Sequence, residues 1–394
     1  MDYPYSNLTK NIKRSEIREL LKWTRKPGLI SFGGGLPDSN LFPLKDIADI
    51  TREVLETKGY LALQYGQTKG EPEMITALCQ HMAEFEDIAK PEEVCVVSSS
   101  QQGLDLLALM FLDDNSPIIV EMPTYLGGLQ AFHRHNANMI GVPMDDHGMD
   151  LEALLKILDN QEEKPRFIYT IPDFQNPSGI TMSFDRRKKL IKIAKDRDIL
   201  IVEDSPYREL RYVGDSLPSI WSMSKGENTI MMKTFSKILF PGMRMGWVVA
   251  NEELIDKFVV IKQSVDLCTP PFNQLILANY IEKGFMKRTI KNAKECYQEK
   301  LKVMLESLEK FMPNGVKWPK PEGGMFLWVE MPENINTKEI FMKAIEHDVA
   351  YVIGSPFFHD GSGSNTMRLS YSFPSLEQIK IGIKSLAEVF KAVM

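Results

Sequence analysis

The residues best placed for covalent chemistry lie in one run, Thr234-Phe235-Ser236-Lys237-Ile238-Leu239-Phe240-Pro241-Gly242-Met243-Arg244-Met245-Gly246-Trp247. Apolar runs at Thr229–Lys233 and Gly246–Ala250 bracket it, so Lys237 is expected in a loop at a strand end. An amine withdrawn from water beside a second cation loses proton affinity and becomes a nucleophile toward aldehydes. Arg244 follows seven residues later, and the Pro241-Gly242 turn can fold it back. An arginine with neighbouring hydroxyls makes a clamp for a phosphate dianion. Ser98-Ser99-Ser100-Gln101-Gln102-Gly103 follows a strand and opens a helix, whose first N–H groups either bind phosphate or are capped by a serine. Asp173-Phe174-Gln175-Asn176-Pro177-Ser178-Gly179 and Glu203-Asp204-Ser205-Pro206-Tyr207 also end strands. Taken singly, the first reads as a turn and Asp204 as a helix cap.

The elements that must position these groups follow from periodicity. Near-continuous apolar runs occur at Val94–Ser98, Ile118–Met122, Met139–Val142, Phe167–Ile171, Leu200–Glu203, Thr229–Lys233 and Gly246–Ala250. Such runs mark strands buried on both faces. Helical patterns separate them, as at Leu151–Asn160 and Arg186–Asp196, and strand–helix alternation argues for a mainly parallel α/β sheet, here of seven strands. The two ends differ. An amphipathic segment spans Ser15–Trp23, and a Gly/Pro-rich stretch ends near Pro43. A long helical pattern then runs from about Phe272 to Leu308, followed by Gly323–Met331, another helix and Thr366–Phe373. The expected division is a large domain over 44–285 and a smaller α+β domain over 286–394, with residues 1–43 belonging to the smaller one and covering the site.

Composition narrows the class. The 394 residues are 43% hydrophobic and 25% charged, with 47 Lys and Arg against 53 Asp and Glu. That is a globular chain with no electrostatic footprint for nucleic acid or anionic membrane. The four cysteines, Cys79, Cys95, Cys268 and Cys296, are widely spaced, which argues against a zinc site or a disulfide framework and for a cytoplasmic protein. His133 and His135 lack an evident third ligand, so no metal is expected. No secretory leader is visible, and no window approaches the roughly 18 continuous apolar residues of a membrane span.

Taken together these motifs resemble the fold-type I, pyridoxal 5′-phosphate-dependent class I/II aminotransferases, over Ile17 to Phe373. The resemblance implies a homodimer and assigns roles by position. Lys237 is the cofactor-linked lysine. Asp204 pairs with the pyridine nitrogen, and Asn176 and Tyr207 bond the phenolic oxygen. Tyr125 stacks on the ring. Ser100, Gln101, Thr234, Ser236 and Arg244 surround the phosphate, with Tyr65 reaching it from the neighbouring subunit. Arg368 matches the arginine that forks the substrate carboxylate, and Gly35 lies in a loop whose backbone approaches the substrate. Planar, bidentate recognition is the reason for arginine at that position.

Ser15-Glu16-Ile17-Arg18-Glu19-Leu20-Leu21 resembles the mobile helix of the 2-aminoadipate and kynurenine II branch, where Arg18 and Ser15 meet the substrate. The alternative is a helix that docks Ile17, Leu20 and Leu21 with Arg18 in water. Asp173 adds a charge that is expected to bias substrate choice. The implied reaction moves an amino group from 2-aminoadipate, glutamate or a large apolar or aromatic amino acid to a 2-oxo acid such as 2-oxoglutarate. A lyase or decarboxylase on the same fold is the alternative, and an aminotransferase-like regulator a further one. The regulator is disfavoured because the pattern begins by Ser15, leaving no room for a DNA-binding domain.

Overall fold

The computed structural model describes residues 3–6, 9 and 28–394. Ser15 and Arg18, and the helix expected to carry them, lie outside the described residues. The strands are β1 (Ile30–Ser31), β2 (Val94–Val97), β3 (Pro117–Met122), β4 (Asn138–Asp145), β5 (Gly148–Met149), β6 (Phe167–Thr170), β7 (Leu200–Asp204), β8 (Thr229–Thr234), β9 (Gly246–Val249), β10 (Phe326–Glu330), β11 (Val349–Ala350), β12 (Val352–Ile353) and β13 (Thr366–Ser370).

All seven apolar runs enter one sheet, ordered β2-β9-β8-β7-β6-β3-β4-β5. The neighbours from β8 through β4 are parallel, and β9 runs antiparallel to both its partners. The sheet has eight strands rather than seven. The extra one, β5, is two residues long and folds back on β4 through a turn in which Gly148 takes φ +102°. A pair of residues is too short to register as an apolar run.

Side chains alternate across the sheet with period two. Ile119, Ile168 and Ile201 pack into one apolar cluster with Leu154 and Leu190. Val120, Tyr169 and Val202 enter the other, with Phe132 and Leu104. Burial on both faces is why these strands read as continuous apolar sequence. The covering helices are capped by short polar side chains: Asp150 accepts from Glu152 and Ala153 N–H, Ser183 from Arg186 N–H, and Asn251 from Leu254 N–H.

The long helical pattern after Phe272 proves to be two helices, Pro271–Glu282 and Phe285–Phe311. Gly284, in the left-handed region at φ +73°, separates them, a conformation that a side chain would strain. Beyond lies the antiparallel sheet β10-β13-β12, while β1 pairs in parallel with β11. Ser370 N–H donates to the Phe32 carbonyl at 2.8 Å, so the chain after β1 runs beside β13.

The expectation that Asp173 biases substrate choice is corrected here. Asp173 is 1% exposed and forms a two-point pair with Arg187, at 2.7 and 3.2 Å. Arg187 also donates to the carbonyls of Met182, Pro172 and Pro218. The charge is neutralised inside the protein, where it anchors the loop that carries Asn176. Removing one member strands a buried charge, so Arg187→Met should cost roughly 3–5 kcal/mol. The readout is the urea midpoint of the purified protein. Adding Asp173→Asn should recover part of the loss, whereas an unchanged midpoint in Arg187→Met would contradict this account.

Candidate active site

Loops leave the carboxyl ends of β2, β3, β6, β7 and β8 along one edge of the sheet, where ligands of open α/β sheets bind. Thr234 ends β8 and caps the one-turn helix Phe235–Ile238. Its Oγ1 accepts from Ser236 N–H at 3.2 Å and lies 3.0 Å from both the Met245 carbonyl and Ser236 Oγ. The Thr234 hydroxyl is thus taken up in shaping the turn that presents Lys237.

Lys237 Nζ donates to the Gly35 carbonyl at 2.9 Å. Burial, then the nearby Arg368 and Arg244 cations, pull its amine down to about 8, against the opposing pull of Asp204. Gly35 is closely covered. A Cβ there would lie 2.8 Å from the Phe326 ring and 3.8 Å from Lys237 Nζ, so only glycine lets the backbone approach.

Asp204, at the end of β7, is buried. Tyr169 Oη donates to its Oδ2 at 2.9 Å, while Oδ1 has no partner. Burial pushes the carboxyl up to about 6, against the lowering effects of the Tyr169 hydrogen bond and the Lys237 charge. Tyr207 is buried too, and burial raises its phenol. Asn176 Nδ2 donates to Tyr207 Oη at 3.3 Å, and Asn176 Oδ1 accepts from Arg368 at 2.8 Å. Arg368 also donates to the Gly33 carbonyl at 3.0 Å and lies over the rings of Phe326, at 4.2 Å, and Phe357, at 5.1 Å. Burial pulls its guanidinium down to about 10, and its Nε has no partner.

The loop after β2 adds a polar edge. Arg244 donates to Ser99 Oγ at 2.5 Å, and both residues occupy the left-handed region, at φ +49° and +74°. Ser100 Oγ is buried without a partner. Gln101 donates to the Gly127 carbonyl at 2.9 Å and stands 3.5 Å from Tyr125 Oη. Tyr65 stands apart, 76% exposed.

The structure therefore brings together Lys237, Asp204, Tyr207, Asn176, Arg368 and Gly35, with Thr234, Ser236, Arg244, Ser100, Gln101 and Tyr125 on the adjoining loops. Sequence reasoning missed Tyr169, Ser99, Phe326 and Phe357. Tyr169 sits inside an apolar run, where only its register opposite Val202 marks it as facing the same way as Asp204.

Three buried polar atoms without partners, on Ser100, Asp204 and Arg368, fit a ligand with an acceptor for the hydroxyl, a donor for the carboxylate and an anion for the guanidinium. A phosphorylated, protonated pyridine and a substrate carboxylate have those features. Among the described residues, no helix is long and apolar enough to cross a membrane, and no cluster of three or more His, Cys, Asp and Glu side chains is placed to hold a metal ion.

The chain is similar to known proteins across its length. It is 44% identical to aromatic-amino-acid aminotransferase 1 of Thermococcus litoralis, over 100% of this chain and 96% of that one. It is 39% identical to the 2-aminoadipate transaminase of Thermus thermophilus, over 97% and 95%. A crystal structure of Pyrococcus horikoshii kynurenine aminotransferase, in complex with PMP, KYN and KYA, superimposes with a TM-score of 0.96 at 41% identity, covering 99% of this chain and 98% of that one. The family model for aminotransferase class I and II matches residues 28–386, and the chain belongs to that family, as an enzyme that transfers amino groups.

Proposed function

We propose that this enzyme holds pyridoxal 5′-phosphate at the edge of the large sheet and uses it to exchange the amino group of an L-amino acid for the oxygen of a 2-oxo acid. The observation that carries the reading is Asp204, a buried carboxylate with one oxygen unpartnered, within electrostatic reach of the Lys237 amine. The bound cofactor supplies an electrophilic carbon and a ring that accepts electrons from the substrate Cα.

The remaining work falls to the chain. Lys237 Nζ holds the cofactor and yields to the incoming amine. It would then take the substrate Cα proton and deliver it to the cofactor carbon that carried the aldehyde, as general base and then acid. Asp204 Oδ1 holds the proton on the ring nitrogen. Asn176 and Tyr207 would serve the phenolic oxygen, and Tyr125 would hold the ring. Ser100, Gln101, Ser236 and Arg244 serve the phosphate, with Thr234 shaping their loop. Arg368 exchanges its bond to the Gly33 carbonyl for the substrate carboxylate, and Gly35 keeps the backbone close.

The donors proposed are 2-aminoadipate, glutamate and large apolar or aromatic amino acids, with 2-oxoglutarate as acceptor. The names of the relatives support the aromatic and 2-aminoadipate classes. Arg18 and Ser15 are proposed to meet a distal substrate group. We further propose a cytoplasmic homodimer with shared sites, in which each subunit pairs a large domain over 44–285 with a small one over 286–394 and takes 1–43 into the small one. All four cysteines are free, as in a reducing compartment. Tyr60, Leu63 and Tyr65 are 100%, 74% and 76% exposed, an apolar surface suited to a second copy.

The direct test is a single-turnover titration of cofactor-loaded enzyme with one amino acid at a time and no oxo acid. The visible absorbance of lysine-linked cofactor should bleach with acidic and aromatic donors. Lys237→Ala should lack that absorbance and lose nearly all turnover, and normal transamination by this variant would reject the assignment. Because the neutral amine is the nucleophile, capture of pyridoxal phosphate by the apoenzyme should accelerate as pH rises through about 8, where Lys237 loses its proton. A midpoint at the ordinary lysine value would remove the argument for an activated amine. Mixed dimers of Tyr65→Phe and Lys237→Ala subunits, each impaired alone, should regain activity through one intact site. Hybrids that form without recovery would rule out shared sites.

A further inference from the structure

Tyr169 is the one hydroxyl bonded to Asp204 among the described residues, and the family resemblance gives it no part. It stands in β6 opposite Val202 of β7. Asp204 lies two residues beyond Val202 and so points to the same face of the sheet. The phenol is fully buried, and nothing in an apolar core needs its oxygen: the ring packs edge-on against Phe132 at 5.2 Å, a contact phenylalanine would make equally well. The helix above is thinned over the oxygen. A Cβ on Gly128 would lie 3.2 Å from Tyr169 Oη and 3.1 Å from its ring, so glycine leaves room for the hydroxyl to reach Asp204. Burial and the adjacent carboxylate hold the phenol well above its ordinary value, so it donates at every working pH.

We propose that Tyr169 is the positioning residue for Asp204: by occupying Oδ2 it fixes the carboxylate with Oδ1 turned free toward the cofactor's ring nitrogen. The inference rests on the reading of Asp204 as the partner of that nitrogen. A carboxylate with both oxygens unbound in a buried site can rotate or take up a proton, and either change removes the acceptor that the pyridinium needs. One donor on one oxygen opposes both changes and leaves the other oxygen available.

The test compares binding of pyridoxal phosphate and its 1-deaza analogue, in which carbon replaces the ring nitrogen, to the apoprotein. The wild type should favour pyridoxal phosphate. Tyr169→Phe should reduce that preference about tenfold, the scale of one hydrogen bond to a charged group, and leave affinity for the analogue unchanged. Gly128→Ala, which crowds the phenol, should lower the same ratio without removing a polar group. In an Asp204→Asn background, Tyr169→Phe should change the ratio no further. The proposal falls if Tyr169→Phe and Gly128→Ala both keep the wild-type ratio, or if Tyr169→Phe weakens both ligands equally, which is the mark of a packing role alone. A wild type without any preference would instead overturn the reading of Asp204, and the inference with it.

Discussion

Charge held away from water is the constraint on which this site depends. Asp204 is 2% exposed and Arg368 8%, with the Lys237 amine between their fields. Lys237 feels the Arg368 cation and the Asp204 carboxylate, and Asp204 feels Lys237 in turn. Burial raises the carboxyl, while burial and the two arginines lower the lysine. Two cations face one carboxylate across the core of the site, with Arg244 at its rim. The excess positive charge is what a phosphate dianion and a substrate carboxylate would neutralise. The same arrangement that is costly without ligand therefore favours anionic ligands by charge before any shape is considered.

The chain after β1 substitutes for water around those cations. Gly33 and Gly35 offer carbonyls to Arg368 and Lys237, and Leu36 offers one to Ser372 Oγ at 2.7 Å. Asp38 fastens the same stretch, accepting from Lys300 Nζ at 2.6 Å, while its N–H donates to Tyr297 Oη at 3.0 Å. Carbonyls are neutral acceptors, weaker partners for a cation than a carboxylate or a phosphate. The bonds from Arg368 and Lys237 are accordingly ones that an incoming anion or an electrophile can replace without leaving the cation bare. Two distant parts of the chain thus meet over one lysine, and the glycines are what allow the approach.

Much of this was legible in the sequence because the relevant signals are local. Strands buried on both faces are largely apolar, so the runs of β2, β3, β6, β7, β8 and β9 stood out, while Met139–Val142 did so although β4 is only partly buried. Lys237 and Arg244 stood out because hydroxyls, a Pro-Gly turn and an arginine share one short run. Arg368 and Tyr125 were not legible singly. Each is an ordinary residue until the fold brings it to the edge, and only the order of several motifs singled them out. Tyr169 and Arg187 were missed for a further reason: their roles are set by register and by a helix packing across the sheet. Neither is encoded in a neighbouring residue. The pairing of Asp173 is hidden on the same account, since its partner lies fourteen residues away on the next helix. The break at Gly284 was the one local signal passed over, a single glycine inside a long periodic pattern.

Glu121 is a second buried carboxylate at the same sheet edge, and its partners set it apart from Asp204. Like Asp204 it lies near the end of a parallel strand and is buried, and burial pushes it up to about 7. Yet it accepts from Thr170 Oγ1, from Ile171 N–H at 3.2 Å and from Gln175 Nε2 at 3.1 Å. Gln175 then donates to the Pro123 carbonyl at 2.7 Å and accepts from Ser178 N–H at 2.8 Å. Glu121 is thereby spent on joining the loop that carries Tyr125 to the loop that carries Asn176. Both of its oxygens are taken by protein donors. Asp204 has one donor where Glu121 has three, and one oxygen without any. Burial and raised proton affinity are common to both, so neither property identifies the reactive group. What sets Asp204 apart from Glu121 is an oxygen without a donor, because an unpartnered buried acceptor is costly unless something else completes it.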